Sequence, residues 1–417
     1  MKIKANADNI KTWLNGMARF NSTPDFGTTR ILFTKPEIKN REYVKAEMKA
    51  LGLEVKEDAI GNIFAVLKGE DETLSPVWTG SHIDTVPNAG NFDGMAGVVC
   101  GMEALRIIRE NNLKHKRDIY VNVYTSEEPT RYGLSCLGSR ALAGELHLED
   151  TKKLFDQDEK SLYEKLVELG YDTSKFKDIP RKQGQVFATV ELHVEQNNRL
   201  EQGKKSIGIV KSICAPSNYT ITVHGVQSHA GGTSMEERRD AFMAVSEMAL
   251  SLEQLAKNCP SEYNTATIGV VKVIPGGVNV IPGQVEFSVD IRDCTKDTKD
   301  TLIRNMFCSF DKIANKRGVT YEVRKENDDV PLVCDSKIVK LIQKKCDRDA
   351  VSYETLISGP YHDTLFIGRF APSAMIFVPS RNGISHSPEE WTDYEELETG
   401  ADILSEVLLD LANLEEI

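Results

Sequence analysis

Short apolar runs alternate with helical patterns over the first half of the chain. Four runs bounded by turn residues predict β-strands, at residues 63–67, 77–81, 119–125 and 186–194. Between them, Val99, Met102, Leu105 and Ile108 recur at helical spacing and predict a helix over Met95–Glu110. A long helical and loop stretch spans residues 139–182. This alternation is typical of an α/β layer.

A different pattern follows, in the order β-α-β-β-α-β. Its predicted strands span residues 219–223, 266–273, 285–291 and 319–323. One predicted helix, at 235–255, buries Ala241, Val245, Met248 and Leu252 and begins at a capping box from Thr233 to Glu236. The other, at 298–316, buries Leu302, Met306, Phe310 and Ile313. This order predicts a ferredoxin-like domain.

Length and pattern together predict two domains. A chain of 417 residues exceeds the size at which one hydrophobic core stops growing. We expect residues 213–327 to form a small α+β domain inserted into a larger α/β domain. The larger domain comprises residues 1–212 and 328–417 and ends in a helix over residues 394–414.

Charge and hydropathy disfavour binding to nucleic acid, association with membranes and secretion. The net charge of −12 disfavours nucleic acid and anionic membranes. The first 20 residues have the spacing of an amphipathic helix rather than a signal peptide, and no apolar run is long enough to span a membrane. The eight cysteines include no CxxC pair, which favours reduced thiols in the cytoplasm.

Acidic residues and histidines cluster where predicted strands end, which is where ligands bind in open α/β sheets. His82 and Asp84 are two residues apart, so they face one side of an extended segment, where Asp84 could accept the ring N–H of His82. Asp93 follows in a glycine-rich turn. Taken alone, Asp93 is equally an ordinary turn residue.

Two more segments repeat this arrangement. Glu127 and Glu128 are consecutive after a strand, so one could bind a metal while the other faces a water molecule. His193 ends an apolar strand in ELHVEQ, and His386 follows an apolar run in SHSPEE. Separately, these residues also fit a solvated acidic loop and core histidines. Together they favour a site with nitrogen and oxygen ligands for zinc, manganese, cobalt or nickel.

The inserted domain carries polar residues that its scaffold does not require. His229 lies in the turn GVQSHAGG, Asn279 in PGGVNVIP, and Arg292 at a strand end in DIRDC. The Arg292 guanidinium matches a substrate carboxylate, but it could equally pair with Asp290 or Asp293.

The ordered motifs HID, FDG, EEP, LHVEQ, HAG, IRD, YHD and SHSPEE resemble the hydantoinase/carbamoylase family of zinc peptidase-like amidohydrolases. The resemblance covers nearly the whole chain. It implies a dinuclear-metal, exopeptidase-like catalytic domain with an inserted lid and dimerisation domain. It also implies a homodimer in which the partner subunit contributes lid residues.

The resemblance also implies residue roles. One metal is held by His82, Asp93 and His193, and the other by Asp93, Glu128 and His386. Glu127 is the general base, and Asp84 orients a ligand. The implied substrate-binding residues are Gln196, His229, Asn279, Arg292, Tyr361 and His362.

The implied reaction is hydrolysis of a C–N bond in a small ureido carboxylate, with release of ammonia. Pro129 after the Glu pair and Tyr361 before His362 resemble the ureidoglycolate amidohydrolases, in which the matching Tyr recognises a hydroxyl-bearing substrate. Tyr361 could instead simply pack beside His362. Allantoate or an N-carbamoyl-L-amino acid is the alternative substrate, and a deacylase or dipeptidase reaction is a further one. The peptidase branches usually have a carboxylate in place of His193.

Overall fold

The computed structural model describes residues 4–417. The helices in this part of the chain are α1 (Ala7–Ala18), α2 (Lys35–Ala50), α3 (Met95–Glu110), α4 (Leu137–Ala143), α5 (Leu148–Thr151), α6 (Leu162–Glu168), α7 (Arg199–Gly203), α8 (Ala241–Lys257), α9 (Lys296–Arg317), α10 (Ser336–Arg348), α11 (Thr364–Ile367) and α12 (Tyr394–Asn413). The strands are β1 (Glu54–Glu57), β2 (Ile63–Leu67), β3 (Val77–His82), β4 (Ile119–Tyr124), β5 (Ala188–Val194), β6 (Ile207–Ile213), β7 (Ala215–His224), β8 (Ser228–His229), β9 (Asn264–Thr267), β10 (Val271–Ile274), β11 (Val280–Ile281), β12 (Gln284–Asp293), β13 (Thr320–Asp328), β14 (Leu332–Val333), β15 (Tyr353–Ser358) and β16 (Ser373–Val378).

The chain divides into two compact units. The first contains Met1–Lys211, Cys334–Leu356 and His362–Ile417, and the second contains Ser212–Val333 and Ile357–Tyr361. The second unit begins at Ser212, whereas the inserted domain is predicted to begin at residue 213. It extends beyond residue 327 because β13 continues to Asp328, and it takes in the short segment that ends at Tyr361.

A mixed sheet forms the centre of the first unit. Its strand order is β1-β2-β4-β3-β5-β16-β6. The central strands β4, β3, β5 and β16 are parallel, whereas β2 and β6 flank them in antiparallel pairing. The carboxyl ends of the four parallel strands therefore meet at one edge of the sheet, and the predicted metal ligands follow those ends.

Helices cover both faces of this sheet. Helix α3 packs on β3 and β5 together with α12, and nearly all of its side chains are buried. Gly97 allows this approach, because a Cβ there would lie 2.2 Å from the carbonyl oxygen of Leu192. On the opposite face, Trp78 and Tyr124 belong to an apolar cluster with α4, α6 and the segment after α11.

The predicted N-terminal helix is α1, which buries Ile10, Trp13, Leu14 and Met17. The start of the predicted segment, residues 1–3, lies outside the described residues. None of the helices in residues 4–417 combines the length and apolar character needed to cross a membrane.

The second unit contains an antiparallel sheet in the order β10-β12-β7-β13. Helices α8 and α9 bury their apolar stripes against one face of it, with Met248, Leu252, Met306 and Phe310 in the core. The predicted β-α-β-β-α-β order appears as β7, α8, β9 with β10, β12, α9 and β13, and the short strands β8 and β11 are additional to it.

Two predicted elements of this unit differ from the structure. The helix predicted to begin at residue 235 begins at Ala241, because the Asp240 side chain caps it by accepting the N–H groups of Phe242 and Met243. The Thr233 hydroxyl bonds Ser228 instead of forming the expected capping box. The strand predicted at 266–273 is divided into β9 and β10, with Gly269 in the gap between them.

Candidate metal centre

The polar residues that follow the four parallel strands come together at the carboxyl edge of the sheet. His82 ends β3, Glu127 and Glu128 follow β4, His193 lies near the end of β5, and His386 follows β16. Asp93 lies between β3 and α3. All except His386 are buried, and the His386 side chain is 49% exposed.

The rings of His82 and His193 are oriented by the backbone. Nδ1 of His82 lies 3.1 Å from the carbonyl oxygen of Asp84, and Nδ1 of His193 lies 2.9 Å from that of Val194. Each Nδ1 can donate its proton there, which leaves the Nε2 lone pair available. Metal-ligating histidines are usually held in this tautomer. Gly94, at φ 70°, passes close to the His82 ring, where a Cβ would lie 2.5 Å from it.

Asp93 lies between two groups of candidate ligands. Its Oδ1 is 3.5 Å from Nε2 of His82 and 3.2 Å from Nε2 of His193. Its Oδ2 is 3.0 Å from Nε2 of His386, which is itself 3.3 Å from Oε1 of Glu128. Each oxygen of this single carboxylate therefore faces a different group.

These separations fit a divalent cation in each group. Two atoms that each lie about 2.0–2.1 Å from a tetrahedral zinc ion are about 3.3 Å apart. The ligand atoms of His82, Asp93 and His193 lie within 4.8 Å of one another, and so do those of Asp93, Glu128 and His386.

A third cluster is similarly compact but differs in its hydrogen bonding. It consists of Glu191, His193 and His362. Both oxygens of Glu191 already accept hydrogen bonds, one from Ser81 and the other from Thr364. The two groups that share Asp93 are therefore the stronger candidates.

The candidate ligands shift one another's pKa values. Burial alone would lower the pKa of His82, but the carboxylates of Asp84 and Asp93 raise it well above its usual value. Burial opposes ionisation of Asp93, yet the three imidazoles hold its pKa well below the usual range. Hydrogen bonds to Asp93 and Glu128 raise the pKa of His386 to about 10.

Asp84 does not make the hydrogen bond expected from its spacing. The His82 ring meets the Asp84 backbone carbonyl, and the nearer carboxylate oxygen is 3.6 Å from Nδ1. The carboxylate instead accepts the backbone N–H groups of Glu127, at 3.2 Å, and Glu128, at 3.1 Å. Asp84 thereby links the loop after β3 to the Glu pair.

Glu127 lies beside the ligand cluster. Its Oε2 is 4.0 Å from Nε2 of His82. Burial raises the pKa of Glu127 well above its ordinary value; the adjacent His82 opposes this shift, and the Glu128 carboxylate adds to it. A buried carboxyl with a raised pKa has the properties of a group that holds and transfers a proton.

Gln196 also reaches the cluster. Its Nε2 donates to Oδ2 of Asp93 at 2.8 Å, while its Oε1 is buried and has no hydrogen-bond partner within residues 4–417. The His362 ring packs edge-on against His193, with centroids 4.6 Å apart, and burial lowers the pKa of His362 well below its ordinary value.

In the second unit, the structure brings His229 and Asn279 together. Strands β8 and β11 pair, so that His229 lies opposite Val280, and Ala230 N–H donates to the Asn279 carbonyl. Nδ1 of His229 accepts the N–H of Gly231 at 3.1 Å. In the neutral ring, the proton is therefore on Nε2, which is a donor.

Arg292 and Tyr361 both have partners in the same unit. Arg292 donates from Nε and Nη2 to the two carboxylate oxygens of Asp290, at 3.0 and 3.3 Å. This is the salt bridge that the sequence offered as the alternative to substrate binding. The Tyr361 hydroxyl accepts a hydrogen bond from the Asn327 amide at 3.2 Å.

Two residues near the centre were not singled out from the sequence. The Cys136 thiol lies close to Glu127, and the Glu390 carboxylate accepts backbone N–H groups beside Asp93. Cys136 looks like an apolar residue in the sequence, and Glu390 looks like part of an exposed acidic pair. Neither contact has a spacing signal, because both depend on tertiary structure.

The sequence model for the family described as peptidase family M20/M25/M40 matches residues 78–410 of this chain. The chain belongs to this family. Within the M20/M25/M40 family, it is 36% identical over 416 residues to a ureidoglycolate hydrolase from Arabidopsis thaliana, covering 98% of this chain and 87% of that protein. An N-carbamoyl-L-amino-acid amidohydrolase from a Pseudomonas species is 32% identical, with coverage of 96% and 97%. An allantoate amidohydrolase from Bacillus subtilis is 33% identical, with coverage of 97% and 98%.

Solved structures place this M20/M25/M40 member in the hydantoinase/carbamoylase group. A structure of AtUAH in complex with (S)-hydroxyglycine is 35% identical and covers 99% of both chains, with a TM-score of 0.84. An amidase of the hydantoinase/carbamoylase family from Burkholderia multivorans is 30% identical and covers 100% of both chains, with a TM-score of 0.89.

Proposed function

We propose that this enzyme is a dinuclear metal-dependent amidohydrolase that cleaves the C–N bond of ureidoglycolate or a related ureido carboxylate and releases ammonia. The observation that carries the proposal is the position of Asp93, whose two oxygens face separate groups of ligands, with Glu127 buried beside them. We place the enzyme in the cytoplasm, where its eight cysteines, none of which forms a disulfide within residues 4–417, would stay reduced.

We assign His82, Asp93 and His193 to one ion and Asp93, Glu128 and His386 to the other. Zinc or manganese suits these ligands, and cobalt and nickel are alternatives. When bound, the pair of ions would supply Lewis acidity, which polarises the scissile carbonyl and lowers the pKa of water.

We assign Glu127 as the general base. Its Oε2 points to the ligand side, and the loop that carries it is held by Asp84 through two backbone N–H groups. Oε2 would take a proton from the attacking water and return it to the leaving nitrogen. Such transfer contributes about 10²–10⁴-fold to the rate.

Several polar side chains would contact the substrate. The unpartnered Oε1 of Gln196 suits a ureido N–H, and Nε2–H of His229 suits an oxyanion. We assign Asn279, Arg292 and His362 to binding as well. Opening of the Arg292–Asp290 pair would free the guanidinium for a substrate carboxylate.

We propose that the second unit is a lid and that it forms a homodimer contact. Strand β10 is an edge strand of its sheet and exposes Val271 and Ile274, and helix α8 exposes Phe242, Met243 and Leu250. An open edge strand and exposed apolar side chains of this kind support a subunit contact. The partner's copy of the lid would then contribute His229 and Asn279 to the site.

We place ureidoglycolate first because a hydroxyl at Tyr361 can bond the substrate α-hydroxyl, and because the ureidoglycolate hydrolase relative is 36% identical. N-carbamoyl-L-amino acids and allantoate are the second candidates, supported by relatives with those activities in their names. His193 argues against a deacylase or dipeptidase.

The test measures ammonia release from ureidoglycolate, allantoate, an N-carbamoyl-L-amino acid and a dipeptide, after loading with zinc, manganese, cobalt or nickel. Ureidoglycolate should give the highest kcat/KM. Tyr361→Phe should lower kcat/KM for ureidoglycolate by about tenfold and leave that for a substrate without the hydroxyl unchanged. Turnover of the dipeptide alone would overturn the proposal.

A further inference from the structure

Glu390 is a buried carboxylate next to the candidate metal centre, and it accepts hydrogen bonds from the backbone and from a serine hydroxyl. It lies four residues after His386 and is 4% exposed. Its Oε2 accepts the N–H of Phe92 at 2.9 Å and that of Asp93 at 3.3 Å. Its Oε1 accepts the hydroxyl of Ser385 at 3.0 Å. The carboxylate thus joins the loop of Asp93 to the loop of His386.

Ser385 extends this contact to the Asp93 side chain. Its Oγ lies 3.3 Å from Oδ2 of Asp93, the oxygen that faces His386. The same Oγ accepts a hydrogen bond from Nε2 of Gln196 at 3.3 Å. The serine hydroxyl therefore lies between the carboxylates of Glu390 and Asp93. Glu390 therefore contacts the backbone N–H of Asp93 directly, and Ser385 lies within hydrogen-bond distance of both carboxylates.

Gly90 leaves the space that the Glu390 carboxylate occupies. A Cβ at Gly90 would lie 2.3 Å from Oε2 and 2.4 Å from Cβ of Glu390. Only glycine allows residues 90–93 to wrap around the Glu390 side chain. This close approach is independent of the hydrogen bonds and points to the same contact.

We propose that Glu390 is a positioning residue for the shared ligand Asp93. This rests on the metal role assigned to Asp93 above. By fixing the N–H groups of residues 92 and 93, Glu390 orients the Asp93 carboxylate so that each oxygen faces its own group of ligands. Partners of this kind contribute about 10–100-fold to metal affinity.

The test compares Glu390→Gln with Glu389→Gln. Glu389 is exposed on the same segment, so Glu389→Gln removes an equal charge and leaves the contacts of Glu390 with the backbone in place. Zinc affinity is measured by equilibrium dialysis against a competing chelator, with circular dichroism as the check on folding. We expect Glu390→Gln to weaken at least one zinc site by about 10–100-fold and Glu389→Gln to leave both unchanged. Excess zinc should restore most of the kcat of Glu390→Gln.

Gly90→Ala provides an independent variant, because it displaces Glu390 without changing it. It should weaken zinc binding similarly, and the double variant should be no weaker than the worse single one. If Glu390→Gln binds zinc as tightly as the wild type does, the proposal is overturned. If Glu390→Gln does not fold, the same result in Gly90→Ala overturns it. If the wild-type protein binds zinc but hydrolyses none of the substrates, the proposed function is refuted. The comparison of zinc affinities among the variants then still decides the role of Glu390. A wild-type protein that binds none of zinc, manganese, cobalt and nickel overturns both.

Discussion

The thiol of Cys136 lies 3.8 Å from Oε1 of Glu127, and the backbone N–H of Cys136 donates to the Glu127 carbonyl at 3.0 Å. The next two N–H groups, of Leu137 and Gly138, donate to the carbonyls of Ser126 and Thr125. The first turn of α4 therefore holds the whole segment that carries the proposed base. With Oε1 next to the thiol, Oε2 is the oxygen that faces the ligands.

Removing this thiol should reduce turnover without removing metal. The contact is one weak hydrogen bond from a thiol, worth about 0.5–1.4 kcal/mol, so Cys136→Ala should lower kcat by about 2–10-fold with little change in KM. Cys136→Ser keeps a donor and should retain more activity than Cys136→Ala. Cys308→Ala is the control, since Cys308 is exposed on α9. Equal kcat in all four proteins would exclude a role for the thiol.

Glu127→Gln tests the base directly. The amide keeps the size of the side chain but cannot accept a proton, so kcat should fall by about 10²–10⁴-fold. Both ions should remain bound, because the ligand groups do not include Glu127. Metal analysis and steady-state kinetics on the same preparation check both parts. A kcat close to that of the wild type would remove the assignment.

Metal binding should release protons and tighten as the pH rises. The pKa of His386 is raised to about 10 by Asp93 and Glu128, and those of His82 and His193 are raised as well. Only the neutral imidazole is a ligand, so protons must leave when an ion binds, and higher pH favours binding. Calorimetry of the apoenzyme with zinc in two buffers of different ionisation enthalpy measures the number released. Affinity independent of pH between 6 and 8 would contradict this.

Arg292 can be tested against its salt bridge. If the guanidinium binds the substrate carboxylate, Arg292→Lys should raise KM by about tenfold or more, because a charge-assisted pair contributes about 1.5–3 kcal/mol. Asp290→Asn breaks the ion pair but keeps the guanidinium, so its KM should stay within about threefold of wild type. If both variants lower the melting temperature and leave KM unchanged, Arg292 is a structural residue.

Much of the fold could be predicted where apolar periodicity and burial coincide. The bounds of β2 and α3 are those predicted, because both are almost entirely buried and their patterns have no competing reading. In contrast, α2 was not predicted. Its buried positions include Glu37, Asn40 and Arg41, so its inward face is polar and gives no apolar stripe.

The ligand set could be proposed from residue types at strand ends, whereas the contacts that orient it could not. The Asp84 carboxylate accepts two N–H groups from a segment more than 40 residues away, at Glu127 and Glu128. Backbone donors are the same at every position, so no sequence pattern marks such a contact. The capping box at Thr233 failed for a related reason, since the Asp240 cap lies closer to the first buried position, Ala241.

The proposed sharing of Asp93 between two ions has a consequence for metal loading. On this assignment one carboxylate serves both ions, so the first cation to bind draws on negative charge that the second also needs. The two stepwise binding constants should therefore be unequal, with a singly loaded form present over a range of metal concentrations. Availability of the ion would then set how much of the enzyme is competent at any time, so supply of metal could adjust activity without any change in the amount of protein.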